Sequence, residues 1–82
     1  MAIDRVLDQE RARLALIAHR EGEAAAAAWA RRTADIYRQA LEGARRSGVP
    51  SPYEMGFRRS IEALEQLLPD YESRIPGGGG DA

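Results

Sequence analysis

One short segment, Ser47-Gly48-Val49-Pro50-Ser51-Pro52, separates two helix-forming stretches of very different length. Gly48 suits the position after a helix end, where the backbone turns left-handed, and the two prolines prevent the first helix from continuing. Ser51 can cap the next helix, with Pro52 at its first position and Glu54 at its third. The segment therefore predicts a tight turn between two antiparallel helices, an αα-hairpin.

The stretch before the turn has the pattern of one long helix. Asp4 is a suitable N-cap, and no proline occurs between it and Pro50. About forty-four helical residues would span about 66 Å. Apolar or small residues recur at alternating steps of four and seven, an eleven-residue repeat close to that of a straight helix: Ile3, Leu7, Leu14, Ala18, Ala25, Trp29, Ile36 and Ala40.

The stretch after the turn predicts a shorter helix of about sixteen residues, or about 24 Å, that ends at Pro69. Its apolar residues follow the spacing of three and four that is typical of an amphipathic helix. Packing against the second half of the long helix predicts a hairpin core with these members: Trp29, Ile36, Tyr37, Leu41, Phe57, Ile61, Leu64 and Leu68.

In a simple hairpin the short helix covers only the last third of the long one, so the N-terminal apolar stripe has no partner. Exposed contiguous apolar surface usually marks an interaction site. Glu10 lies beside this stripe and would weaken a coiled-coil seam there. We nevertheless expect self-association, as a homodimer or a larger assembly, through the following residues: Ile3, Val6, Leu7, Leu14 and Ile17.

A second architecture depends on Gly22, which costs about 1 kcal/mol relative to alanine in a helix interior. If the long helix breaks there, the chain becomes a three-helix bundle with segments near 4–20, 24–47 and 52–68. We favour the continuous helix, because neither a proline nor a cluster of turn residues lies near Gly22. Both architectures are all-α.

Length and composition predict one helical domain over residues 1–75, followed by a flexible tail at 76–82 that contains four glycines. The 82 residues include no cysteine and carry a net charge of −1, so we expect neither disulfides nor a global attraction to nucleic acid. The sequence shows no secretory signal pattern and no apolar stretch of about 20 residues that could span a membrane. We expect a cytoplasmic protein from a bacterial or phage genome.

The sequence contains no pattern typical of a catalytic, cofactor-binding or metal-binding site. His19 and Glu23 could share a helix face, but Leu16 stands where a Glu-x-x-His metal motif requires glutamate. Nucleophilic catalysis needs an adjacent base, and no serine has a histidine at a predictable distance. We therefore expect no enzyme, no cofactor and no small-molecule substrate.

Arginine supplies all 12 basic charges, and seven arginines oppose three carboxylates between residues 31 and 60. Its guanidinium forms bidentate contacts with carboxylates and phosphates. The candidate residues for binding an acidic partner or nucleic acid are Arg31, Arg38, Arg45, Arg46, Arg58 and Arg59.

The run from Ala44 to Val49 also resembles the centre of a helix-turn-helix, which would bring Arg58 and Arg59 near a DNA duplex. Glu54 falls where that motif needs an aliphatic residue, and two prolines crowd the turn. We therefore expect a non-enzymatic interaction or regulatory protein, an adaptor or inhibitor that binds another macromolecule through its helices. A small DNA-binding regulator and a structural subunit of a helical assembly are the alternatives.

Overall fold

A computed structural model describes residues 5–48 and 52–75, and no strand occurs in these two ranges. The predicted all-α class is confirmed. The described residues form three helices: α1 at Arg5–Glu21, α2 at Glu23–Ser47 and α3 at Glu54–Ser73. Four predicted features lie outside the described residues: the cap Asp4, the stripe residue Ile3, the cap Ser51 and the tail at 76–82.

The prediction of one continuous long helix is wrong, because the chain breaks at Gly22. Its φ of 102° and ψ of 165° lie in a region that essentially only glycine occupies. The Gly22 N–H donates to the Ala18 carbonyl at 2.9 Å, and the Gly22 carbonyl accepts from the Ala26 N–H at 3.2 Å. Gly22 therefore ends α1 and begins α2, and its own N–H and carbonyl remain hydrogen-bonded. The break needs neither a proline nor a cluster of turn residues.

Alanines make up most of the buried face of α2, which packs against both other helices. Small side chains allow neighbouring helices to approach closely. The run of alanines therefore acts as a packing surface and not only as a helix former. The core cluster combines these alanines with larger side chains from α1 and α3: Leu14, Ala26, Ala27, Ala30, Ala34, Leu64, Leu67 and Tyr71.

α1 folds back onto this surface, which corrects the prediction of an uncovered N-terminal stripe. Leu14 is 0% exposed, and Leu7 and Ile17 pack against the core cluster. Val6 is half-buried. These side chains have partners within the same chain, so the argument for self-association through them no longer holds.

α2 and α3 pack against each other as a hairpin, with one difference from the predicted core. Ile61 and Leu64 are buried, whereas Ile36 is 55% exposed, so its assignment to the core is wrong. The alanine face of α2 receives both neighbouring helices, and this turns Ile36 towards solvent. The remaining predicted core residues are half-buried: Trp29, Tyr37, Leu41, Phe57 and Leu68.

The turn between α2 and α3 confirms the predicted helix end at Gly48. Its φ is 73°, in the left-handed region, and its N–H donates to the Arg45 carbonyl at 3.2 Å. The following helix begins at Glu54 rather than at Pro52, which lies in the turn.

α3 continues through Pro69 to Ser73, so the prediction that this proline ends the helix is wrong. A proline inside a helix removes one backbone hydrogen bond and crowds the preceding turn. Tertiary contacts hold the last turn in place: Tyr71 belongs to the core, and Glu72 forms an ion pair with Arg31 of α2.

We expect Gly22→Ala to lower the free energy of unfolding by about 1–3 kcal/mol, because alanine is strained in this backbone conformation. A Cβ added at Gly22 meets no atom within 4 Å, so the loss would come from the backbone alone. Gly56→Ala is the matched control, since Gly56 has the same open surroundings inside α3 and alanine there should gain up to about 1 kcal/mol. Urea unfolding measures both variants, and equal effects would contradict the break at Gly22.

Leu14→Ala should lower the free energy of unfolding by about 2–5 kcal/mol, because it empties a fully buried position. Leu16, two residues further on, is 49% exposed, and Leu16→Ala should change that free energy by no more than about 0.5 kcal/mol. Thermal or urea unfolding of both variants makes the comparison. If Leu14→Ala kept full stability, the described position of α1 would be incorrect.

Candidate functional site

The start of α3 carries the most exposed large apolar side chains that the structure describes. Tyr53 is 70% exposed and Met55 is 63% exposed. Tyr53 lines a groove where the first turns of α3 approach the beginning of α1 and the middle of α2. We call it the aromatic groove and define it by six lining residues: Val6, Gln9, Tyr37, Tyr53, Gly56 and Phe57.

Three aromatic rings lie in series at this groove, with Phe57 stacked on Tyr37 and tilted against Tyr53. The ring centroids of Tyr37 and Phe57 are 5.1 Å apart with planes at 23°, and those of Tyr53 and Phe57 are 6.5 Å apart with planes at 39°. Tyr53, the residue before α3, and Phe57 are four positions apart, and the Phe57 N–H donates to the Tyr53 carbonyl at 3.0 Å. Contacts of this kind fix ring orientation. The exposed ring of Tyr53 is therefore supported by half-buried rings beneath it.

Two residues were missed by the sequence analysis: Gly56, which lines the groove, and Met55, which is exposed at the start of α3. Gly56 lies three residues after Tyr53, on the apolar face of α3, but it has no side chain to mark that face. Met55 falls off the three-and-four spacing, and this offset was the available signal, because a methionine outside the apolar stripe of a helix must face solvent. At Gly56 an added Cβ would meet no atom within 4 Å, so the groove is open there.

Four arginines lie at the same end of the bundle as the aromatic groove. Arg45 and Arg46 occupy the last turn of α2, and Arg58 and Arg59 follow the first turn of α3. Arg58 forms an ion pair with Glu54 at 3.1 Å, whereas the other three form no ion pair among the described residues. The end of the bundle therefore presents arginines whose charge is not balanced locally.

The remaining two candidate arginines, Arg31 and Arg38, lie along the α2–α3 seam. Arg31 forms an ion pair with Glu72, and Arg38 forms ion pairs with Glu65 of α3 and with Asp35 at 3.3 Å. The pairs with Glu72 and Glu65 join the two helices, so both arginines have partners inside the fold and are separate from the arginines at the end of the bundle.

Glu10 is a carboxylate placed in the interior of the bundle, where it is 4% exposed. Its Oε1 atom lies 3.4 Å from Nη1 of Arg13 but accepts no hydrogen bond from the described residues. The Arg13 guanidinium lies 5.5 Å from the ring centroid of Trp29. Burial raises the pKa of Glu10 above its ordinary value, and the charge of Arg13 lowers it by a smaller amount.

Neither a metal site nor a membrane-spanning helix is found among the described residues. They contain no cluster of three or more His, Cys, Asp or Glu that could hold a metal ion, and His19 is exposed on α1. No helix in the described ranges is long and apolar enough to cross a membrane. α3 runs antiparallel to α2, from the Tyr37–Phe57 contact at one end to the Arg74–Glu23 ion pair at the other.

Comparisons with known proteins give no match: no protein family, no curated protein and no solved structure is significantly similar to this chain.

We expect Glu10→Gln to raise the free energy of unfolding near neutral pH, because it removes a buried charge. The pKa of Glu10 is raised in the folded state. The energetic penalty of its charge therefore grows as the pH rises from the ordinary pKa of 4.5 through the raised pKa, and it is absent below 4.5. The gain should therefore disappear below pH 4.5. Asp8→Asn, which alters an exposed carboxylate on the same helix, should give a small change. Urea unfolding near neutral pH and below pH 4.5 tests this, and a gain independent of pH would contradict it.

Proposed function

We propose that this chain is a small non-enzymatic interaction protein that binds another protein through the aromatic groove. The observation that carries the proposal is the exposure of Tyr53 at a groove that also contains the rings of Tyr37 and Phe57. Three arginines that form no ion pair among the described residues lie at the same end of the bundle. A cytoplasmic location belongs to the same proposal.

Residue types at the groove match those that dominate binding energy in protein interfaces. Tyrosine and phenylalanine are enriched in interface cores, and tyrosine in the few positions that carry most of the affinity. Tyr53 contacts Phe57, which in turn stacks on Tyr37. The groove therefore offers three aromatic rings to an incoming apolar side chain.

The arginines at the same end of the bundle as the groove indicate the chemistry of the partner. Arg45, Arg46 and Arg59 would attract a carboxylate-rich segment and fix its position by charge-assisted hydrogen bonds. We infer that the partner presents an acidic segment with one or two aliphatic or aromatic side chains that enter the groove. Such binding suits an adaptor or an inhibitor.

The test compares proteins captured from a source extract by the wild-type chain, by Tyr53→Ala and by the control Leu16→Ala, with quantification by mass spectrometry. A specific partner should be retained by Leu16→Ala and lost by Tyr53→Ala. With the purified partner, Tyr53→Ala should weaken binding by at least about thirtyfold, the effect of removing a residue worth about 2 kcal/mol. Arg45→Gln with Arg46→Gln should weaken binding and reduce its salt dependence.

Two outcomes would overturn the proposal. Equal capture by the wild type and Tyr53→Ala would show that the aromatic groove is not the binding site. Duplex DNA binding that is lost in Arg58→Gln with Arg59→Gln but unchanged in Tyr53→Ala would favour a DNA-binding regulator instead.

A further inference from the structure

The outer face of α2 is a second exposed surface, and it lies away from the aromatic groove. Ile36, at the middle of this 25-residue helix, is 55% exposed there. The residues at three, four, seven and eleven positions on either side of it share its helix face. The exposed members that carry the argument are Arg32, Ala40 and Gly43.

We propose that this outer face of α2 binds the same face of a second copy of the chain, with the two helices antiparallel and a two-fold axis near Ile36. The proposal is independent of the aromatic groove and of its partner. A two-fold interface brings residue i opposite residue j and residue j opposite residue i, so the face must be complementary to itself. Both the sizes and the charges of its residues meet this requirement.

Side-chain sizes on the two halves of α2 complement each other across Ile36. Arg32 lies four residues before it and Ala40 lies four residues after it. In the antiparallel pair, the arginine of each copy therefore faces an alanine of the other, which leaves room for its side chain to extend along the partner. An added Cβ at Gly43 would meet no atom within 4 Å, so the helix surface is also open there.

Charges on the two halves also complement each other. Arg32 and Glu42 are both exposed, and neither forms an ion pair among the described residues. Ten residues separate them along α2, about 15 Å, so they cannot pair within one straight helix. In the antiparallel pair, Arg32 of one copy and Glu42 of the other lie on the same side of the interface, within half a helical turn along the axis. The symmetry gives two such pairs for each dimer.

The first test is molar mass by light scattering on a sizing column, over a series of protein concentrations. We expect the wild type to pass from monomer to dimer as its concentration rises. Arg32→Glu should raise the dissociation constant at least about tenfold, because it places like charges together at two symmetric positions. Arg32→Glu combined with Glu42→Arg should restore the dimer. Leu16→Glu, an equally exposed position on α1, should leave it unchanged.

The second test uses the absence of cysteine from the chain. Ile36→Cys places one thiol near the two-fold axis in each copy, so mild oxidation or a short bismaleimide should join two chains covalently. Leu16→Cys is the control and should remain uncrosslinked under the same conditions. Circular dichroism of each variant checks that the helices remain folded.

Three results would overturn the proposal. One is a wild type that stays monomeric at the highest concentration reached. Another is a dimer that Arg32→Glu does not weaken. The third is equal crosslinking of Ile36→Cys and Leu16→Cys. None of these results would bear on binding at the aromatic groove, which is measured with a different partner and different variants.

Discussion

The backbone conformation of Gly22 is the constraint on which the rest of the structure depends. At a φ of 102° and a ψ of 165° the chain reverses direction within one residue while both neighbouring helices keep their terminal hydrogen bonds. This reversal lays α1 on the alanine face of α2 and buries Leu14 completely. Without it, the apolar residues of α1 would project into solvent, where their exposure is unfavourable.

The close-packed bundle has one evident cost, the burial of Glu10. Its partner Arg13 lies between this carboxylate and the ring of Trp29, and so connects α1 to α2. A similar arrangement occurs at the seam of α2 and α3, where Arg74 lies 3.8 Å from Glu23 and 5.0 Å from the ring centroid of Tyr71. Exposed ion pairs contribute little to stability. Their value here is in fixing which helix faces meet.

A bundle of this size cannot bury every apolar residue, and what remains exposed is not evenly spread. One group surrounds Tyr53 and is bordered by arginines; another surrounds Ile36 on the outer side of α2. Both exposed groups result from the same packing arrangement, because the alanine face of α2 contacts α1 and α3 together. The two surfaces are separate, so one chain could bind a partner and a second copy at the same time.

The sequence by itself determined the all-α class, the helix end at Gly48 and the burial of Ile61 and Leu64. Those features depend on local backbone preference and on helical periodicity, which neighbouring residues encode directly. Only the tertiary structure decided that Gly22 breaks the helix and that Pro69 does not. At both positions the local backbone preference is outweighed by packing contacts. Those contacts come from residues that are distant in the sequence. The exposure of Ile36 was decided in the same way, because periodicity shows that a helix has an apolar face but not which face its neighbours will cover.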